Sequence, residues 1–407
     1  MTIRNLITSV PAAALLLAAC SGPESAVHSF RTFEEDGVPV ALTEGGPKYT
    51  QPLFTYEELY RLEQDEAREE TVLGGIGAPT MDEEGNVYVG DSRNHRIAVY
   101  DATGRYLTSM GRQGSGPGEF RMLRLLGVWD DQVVACDMQQ MRTTVFTTAG
   151  DFVRTILFER VTMKPPLFFN TTGAYPAPGN RLVLVQQAFA QVGEGTGSAF
   201  RAGVHAEGGE ELAEVISPPA PVPGVFQGAP MLHYAPGWGI LHEKSPEPEL
   251  EWYDLDGSLR RIIRLDVPRD PVTAVERERV VSQLRDEIEN AAEDWEREQA
   301  RRELDELAFP DEHDLWFGVL VDEAGYFWAS EPPGSFANPF HERKWRLLSP
   351  EGEYLGDTNF PAVSGYSSSG YPSRGHLIVS WEDEETGAPV AAVFRIRSAV
   401  RGFTYPE

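Results

Sequence analysis

The sequence predicts an all-β chain: a six-bladed β-propeller of four-stranded antiparallel blades, with an α-helical insertion between blades four and five. Three observations carry that expectation. From Asp82 to Phe120 short apolar runs alternate with Gly/Asp/Asn turns, the pattern of an antiparallel meander. A large apolar residue followed four positions later by Gly recurs at Tyr100/Gly104, Phe146/Gly150, Val204/Gly208, Tyr253/Gly257 and Leu348/Gly352, and Phe394 is a sixth anchor without the glycine. The 46-residue step from Tyr100 to Phe146 returns between Leu348 and Phe394 and between Asp91 and Asp137, and it is the length of a propeller blade.

Taken in order, the chain begins with a targeting segment, residues 1–19. Arg4 precedes a short apolar run that ends Leu17-Ala18-Ala19-Cys20, similar to a bacterial lipobox, and that run is too short to span a bilayer as a helix. Cys20 is therefore the expected lipidation site, and residues 20–28 read as a flexible tether. The competing reading is an ordinary signal peptide with an incidental cysteine. Two or more acyl chains would hold the protein at a membrane, where one chain is marginal. Cys136 is the other cysteine of the chain, so a lipidated Cys20 leaves no internal disulfide.

Residues 29–407 are read as the propeller, with 71–120 as the first repeat and its preceding strand. Phe30 to Leu42 predicts one or two strands, because Val38, Val40 and Leu42 alternate. Tyr56 to Glu70 is charged and predicts a short helix, and Thr71 to Gly74 resembles the outer-strand sequence Leu107 to Gly111. One N-terminal strand is expected to join the last blade and close the ring, which removes exposed sheet edges. The longer step from Phe146 to Val204 is assigned to a Gly/Gln-rich loop, Gln186 to Ser198. The step from Tyr253 to Leu348 is assigned to an insertion, 271–308, in which Val280, Val281, Leu284, Ile288, Ala291, Ala292 and Trp295 lie at helical spacing. Pro271 and Pro310 punctuate it.

Gly85-Asn86-Val87-Tyr88-Val89-Gly90-Asp91, then Arg96-Ile97 and Gly114-Ser115-Gly116-Pro117-Gly118-Glu119-Phe120, resembles the NHL-repeat-like six-bladed β-propeller lipoproteins of bacteria. The resemblance is close over 75–156, weaker to the C-terminus and absent from the insertion. It implies the fold. It implies little about activity, because propellers of this shape include ligand scaffolds, calcium-dependent lactonases and a lyase.

The formal charge of −28, from 63 acidic and 35 basic residues, argues against nucleic acid and against anionic head groups as partners. Alternate turns of a meander emerge at alternate ends. The turns between second and third strands therefore share a face with the connections between blades. That face is expected to carry Arg93, Asn94, His95, Arg112, His242 and Trp381, together with the insertion, and to bind the ligand. Asp91 and Asp137 are read as turn-forming side chains that accept backbone N–H groups. The glycines from 114 to 118 read as crossing geometry: the run lacks a Lys-Ser/Thr ending and opens no helix, so it is no phosphate loop. The eight histidines are scattered singly, which signals no zinc site. Asp82 and Asn170 are the candidate inward-facing metal ligands; no cofactor is expected, and calcium is left open. The catalytic residues are unassigned.

The function expected is that of a lipid-anchored, exported bacterial envelope protein, held on the outer membrane, the periplasmic face or the cell surface. It would be a monomer that binds an envelope protein, peptide or glycan without catalysis. The alternative is a divalent-metal-dependent hydrolase or lyase working in the central channel.

Overall fold

A computed structural model describes residues 27–406, apart from 194, 222, 334–343 and 364. Cys20 lies outside the described residues. Six antiparallel sheets follow one another around a ring. Blade one is Thr80–Met81, Val87–Asp91, Arg96–Tyr100 and Tyr106–Met110. Blade two is Leu123–Trp129, Gln132–Asp137, Arg142–Thr147 and Phe152–Leu157. Blade three is Leu167–Ala177, Arg181–Val192, Gly195–His205 and Glu211–Ile216. Blade four is Met231–Ala235, Gly239–Glu243, Glu249–Tyr253 and Leu259–Asp266. Blade five is Gly318–Val321, Phe327–Ser330, Lys344–Leu348 and Tyr354–Asn359. Blade six begins Gly365–Ser373, His376–Asp383 and Pro389–Ser398. All six repeated anchors stand in third strands. The backbone reverses after four of them at glycines with positive φ, Gly104, Gly150, Gly257 and Gly352, a conformation that only glycine adopts freely.

The apolar residues of each blade meet those of the next, so the core is a ring of inter-blade layers. Tyr88, Ile97 and Val99 pack on Leu125, Val133 and Phe146. Leu241 and Trp252 pack on Phe327 and Ala329. Trp345 and Trp328 pack on Leu377 and Val379. Met81 and Val87 pack on Ile378 and Val393, which joins blade one to blade six. Burial of this kind, about 25 cal/mol per Å² of apolar surface, drives the assembly in the absence of a disulfide; Cys136 is buried and free.

Among the described residues, three strands precede the first blade: β1 (Ser29–Glu35), β2 (Val38–Glu44) and β3 (Phe54–Arg61). β3 pairs antiparallel with Pro389–Ser398 as the outer strand of blade six, and so closes the ring. This corrects the helix expected over Tyr56–Glu70, of which only Glu69–Thr71 makes a helical turn. The helical reading rested on charge. Phe54 and Tyr56 on alternate positions find a waiting sheet edge and an aromatic cluster, and pairing overrides propensity. Thr71 to Gly74 forms no strand. β1 and β2 form a hairpin, and β2 runs parallel to Leu259–Asp266 on the outside of blade four.

Two further departures matter for function. The stretch Gln186 to Ser198 is not a loop, because Arg181–Val192 and Gly195–His205 pair residue by residue out to Val192 and Gly195. The insertion is two helices, α1 (Ala274–Asn290) and α2 (Asp294–Glu306), not one continuous pattern. Thr273 and Glu276 form a capping box at the start of α1. Val280 anchors α1 in a pocket with Phe226 and Val272, flanked by Leu284, Leu307 and Phe309. Ala291 leaves the helical region, and beyond that break Trp295 is turned out to solvent. Among the described residues no helix is long and apolar enough to cross a membrane.

Candidate functional site

The end of the ring that carries the inter-blade connections is built on an Asp/Arg clamp used twice. Asp91 accepts from the backbone N–H groups of Gly74 (3.0 Å) and Gly75 (3.2 Å), which enter the blade, and from the Asn94 amide nitrogen Nδ2 (2.7 Å) in the turn. Arg96, opposite it in the ladder, donates to Asp91 at 3.1 Å and to the carbonyls of Glu70 and Val72. Blade two repeats this. Asp137 accepts from Arg121, Gln139 and Gln140 N–H groups, and Arg142 donates to the carbonyls of Ser115, Gly116 and Glu119. The aspartates thus serve turn and crossing together. Burial raises the Asp137 carboxyl, and the converging donors outweigh it and hold the group below the usual carboxylate range.

Four expected ligand residues stand at this end of blade one. Arg93 and Asn94 are exposed, and Asn94 is engaged with Asp91 and the Val72 carbonyl. His95 adopts φ +55°, and its Nδ1 is buried without a partner. Arg112 is exposed and pairs with Glu119 at 2.7 Å, whose other oxygen caps the glycine turn at Gly116. The remaining candidates lie elsewhere. His242 is buried inside the second strand of blade four and meets Glu251 at 2.8 Å. Tyr253 donates to the same carboxylate, and together they hold Glu251 down at about 2 in spite of the burial that raises it. His95 and His242 therefore stand on blades one and four, on opposite sides of the ring. Trp381 is buried between blades five and six, with Arg61 over its ring at 5.4 Å, and forms no open aromatic surface.

Asp82 ends the inner strand of blade one and accepts from Asn86 N–H (2.8 Å), Asn86 Nδ2 (2.9 Å) and Tyr88 OH (2.8 Å). Asn170 is exposed near the start of the inner strand of blade three. Inner strands run in the same sense, so the two residues sit toward opposite ends of the channel. Among the described residues, no group of three or more His, Cys, Asp or Glu side chains could hold a metal ion. The donors that a calcium ion requires, six to eight oxygens, are not assembled by Asp82 and Asn170.

The channel itself contains a cavity of about 290 Å³. It is lined by residues from the later part of the inner strands of blades two, four, five and six or just beyond them, among them Trp129, His233, Asp322 and Tyr371, with Pro79 and Thr80 from blade one. It therefore lies toward the end opposite the insertion. His233 meets the fully buried Glu243 at 3.5 Å, and Glu243 also accepts the Val319 N–H at 3.0 Å. Burial pushes Glu243 up to about 8. His233 keeps 26% of its side-chain surface, yet the narrow channel strips it of bulk solvent and lowers it to about 4. Both shifts favour the uncharged forms. Sequence reasoning missed it, because one His and one Glu on neighbouring strands carry no periodic or spacing signal.

At the other end, the insertion rises beside a charged seat. Asp270 pairs with Lys344 and Arg346, and Glu331 lies within 3.6 Å of Arg346. His313 reaches Glu276 of α1 at 3.3 Å and stacks near Phe226, with centroids 4.6 Å apart. Phe336 and Phe340 lie outside the described residues. Between α1 and α2 runs an open groove of about 420 Å³, lined by Glu287, Asn290, Trp295, Glu296, Gln299 and Glu303. Trp295 is 65% exposed there. It shares the helical spacing of the apolar residues of α1, and the break at Ala291 turns it outward.

Residues 66–156 match the DUF5128 family, described as a 6-bladed beta-propeller, and this stretch contains the two blades that share the clamp. No curated protein matches the chain. Among solved structures, a member of the DUF4221 family from Bacteroides vulgatus is 13% identical, with 85% of this chain and 98% of that chain covered and a TM-score of 0.49. Regucalcin, a calcium-binding protein from Agrobacterium tumefaciens, is 13% identical over 88% of this chain and 98% of that one, with a TM-score of 0.38. Virginiamycin B lyase from Staphylococcus aureus is 12% identical over 84% and 99%, with a TM-score of 0.38. At these identities nothing about ligand or reaction transfers.

Proposed function

We propose that this protein is a lipid-anchored component of a bacterial envelope, acylated at Cys20, whose propeller is a rigid mount for binding a polypeptide partner. The observation that carries the reading is Trp295, exposed in a groove walled by Glu287, Glu296 and Glu303 on a helical pair that the ring holds by a buried apolar pocket. An exposed tryptophan is a strong binding anchor, and an indole face flanked by carboxylates suits Lys or Arg side chains. The partner is therefore a segment with basic residues, and no bond is made or broken. Replacing Trp295 with a photo-crosslinking benzoylphenylalanine tests this in intact envelopes. A defined adduct at 295, lost on Glu287→Gln/Glu303→Gln substitution, supports the reading. Adducts no different from those at exposed Leu212 overturn it.

One observation favours a second reading, chemistry in the channel: His233 on the wall of the cavity, with the buried Glu243 3.5 Å behind it. A neutral imidazole backed by a protonated carboxyl is suited to proton transfer, as in a hydrolase or lyase. Metal content of the mature protein, with and without chelator, separates the metal-dependent form of this reading from the scaffold. A stoichiometric divalent ion whose removal changes substrate turnover would favour the enzyme.

A further inference from the structure

Blade three continues beyond the ring. Val161–Lys164 pairs with the first half of Leu167–Ala177, and Ala220–Pro221 joins the far side of Gly195–His205. A Cβ at Gly197 would collide with the Ala220 carbonyl, so the close approach of this last strand needs glycine there. The extended sheet is rolled. Lys164, on one edge strand, pairs with Glu211 (2.8 Å) and Glu214 (3.0 Å) on the outer strand of the blade. Gln186 reaches across a strand to Thr162 at 2.9 Å. The inside of the roll buries Phe169, Ala188 and Ala199.

The outside is different. Met163 faces Phe168 in the ladder, Val161 faces Asn170, Asn170 faces Gln187, and Phe189 faces Ser198. These positions alternate with the buried ones and so share the outer face. Met163, Phe168 and Phe189 are 62%, 58% and 71% exposed there. Among the described residues the polar positions between them are Asn, Gln, Ser and Thr, so those described positions make an uncharged face on a protein of net charge −28.

The place of this face relates it to the anchor. Ser29 pairs with Glu44, and Glu44 lies beside Asp266, the last residue of the outer strand of blade four. Strand alternation puts that point at the same end of the ring as the Val192/Gly195 turn of neighbouring blade three. Val27 lies seven residues from Cys20, a reach of at most ~25 Å. A short tether at that end brings the uncharged face toward whatever surface holds the anchor. The exposed side chains are too few for the ~800 Å² per partner of a stable protein interface. A tethered molecule needs no such area, because the anchor supplies a high effective concentration.

We infer that the outer face of the blade-three extension rests on a lipid bilayer of uncharged or zwitterionic surface, with Met163, Phe168 and Phe189 entering the head-group layer. The inference rests on the anchored reading proposed above. To separate the two, the mature chain is tethered by an N-terminal hexahistidine, with Cys20→Ser, to phosphatidylcholine vesicles containing a nickel-chelating lipid. Met163→Cys and Phe189→Cys carry an environment-sensitive dye, and Leu212→Cys is the control. Cys136 stays unlabelled, since it is fully buried and burial lifts its thiol to about 11. The expected result is a blue shift and at least threefold stronger quenching by brominated lipid at 163 and 189 than at 212. Equal quenching at all three sites overturns the inference, as does a shift that follows protein concentration without vesicles, which would mean a second copy covers the face. The mass of the protein extracted from membranes tests the anchor separately: an unacylated Cys20 removes that reading, and the vesicle experiment still decides the face.

Discussion

Blades one and three share a four-stranded plan and differ in how their second strands end. In blade one the strand stops at Asp91, whose carboxylate draws the next turn and the incoming crossing onto itself. Counting from the anchor pairs Val87/Tyr100 and Val183/Val204, the same register position in blade three is Gln187, opposite Phe200. No carboxylate is present there to capture turn N–H groups, and the ladder runs on to Val192. Blade one's last three strands have 5 residues each, while the first three of blade three have 11, 12 and 11. A strand ends where a side chain offers its backbone a better partner. Blade four, whose second strand also stops short, fills the same position with a pair of reversed polarity, Lys244 and Glu249, 2.8 Å apart.

The largest expected effect comes from breaking the clamp. Asp91→Ala leaves the part-buried N–H groups of Gly74 and Gly75 and the Arg96 guanidinium without this acceptor. Removing one member of a buried charged pair costs roughly 3–5 kcal/mol. Urea unfolding followed by fluorescence should show a loss in that range, and a loss below about 1 kcal/mol would mean that the clamp does not hold the crossing.

One position earlier in the same register, facing the neighbouring blade, the ring holds Gly90 in blade one, Gln186 in blade three and Glu243 in blade four. Gln186 is fully bonded; Glu243 has one oxygen without a partner. The expected cost is a pH effect. Glu243, near 4.3 when unfolded and raised to about 8 when folded, contributes stability that is full below pH ~4 and is lost as pH rises through 8. His233, lowered to about 4, works oppositely, and its stability is lost as pH falls below its unfolded value of about 6.5. The two slopes oppose each other between pH 4.5 and 6.5, so the window from about 6.5 to 8.5 isolates Glu243. There, wild type should lose on the order of 1–3 kcal/mol, and Glu243→Gln should be flat. Parallel curves for the two proteins would place the proton elsewhere.

The contrast between the blades also explains what could be read from the sequence. The six anchors, the insertion between blades four and five and the turn role of Asp91 and Asp137 are local: each is a short pattern fixed by a turn or a helical stripe. The extension was hidden because Gly193, Gly195 and Gly197 suggest a loop, whereas Gly197 is glycine to admit Ala220 from 23 residues away. β3 was hidden because its partner strand is more than 300 residues distant. The candidate site was the least legible part. His242 and Trp381 were expected on loops, but strand pairing carries them into the core. Trp295 shares the helical spacing of Val280 and Leu284, yet it stands outside. Whether one residue faces solvent or a neighbouring blade depends on where a ladder stops, and a single bulge reverses it.

The smallest effect concerns what keeps blade three rolled. Lys164 bridges the edges through Glu211 and Glu214, and both carboxylates raise its pKa. The three side chains are about a third exposed, so water and salt screen them. Exposed pairs of this kind contribute about 0.2–1 kcal/mol. Lys164→Ala should therefore shift the urea midpoint only slightly at low salt and not at all in 1 M NaCl. Beneath the bridge, Phe169, Ala188 and Ala199 are closed from solvent, and Phe169→Ala should cost several-fold more, about 3 kcal/mol. If the ranking were reversed, with a large, salt-insensitive loss at Lys164, the roll would be held by its charged edge. Apolar packing would then not explain why the sheet curls, and the outer face bearing Met163, Phe168 and Phe189 would be only as fixed as one ion pair.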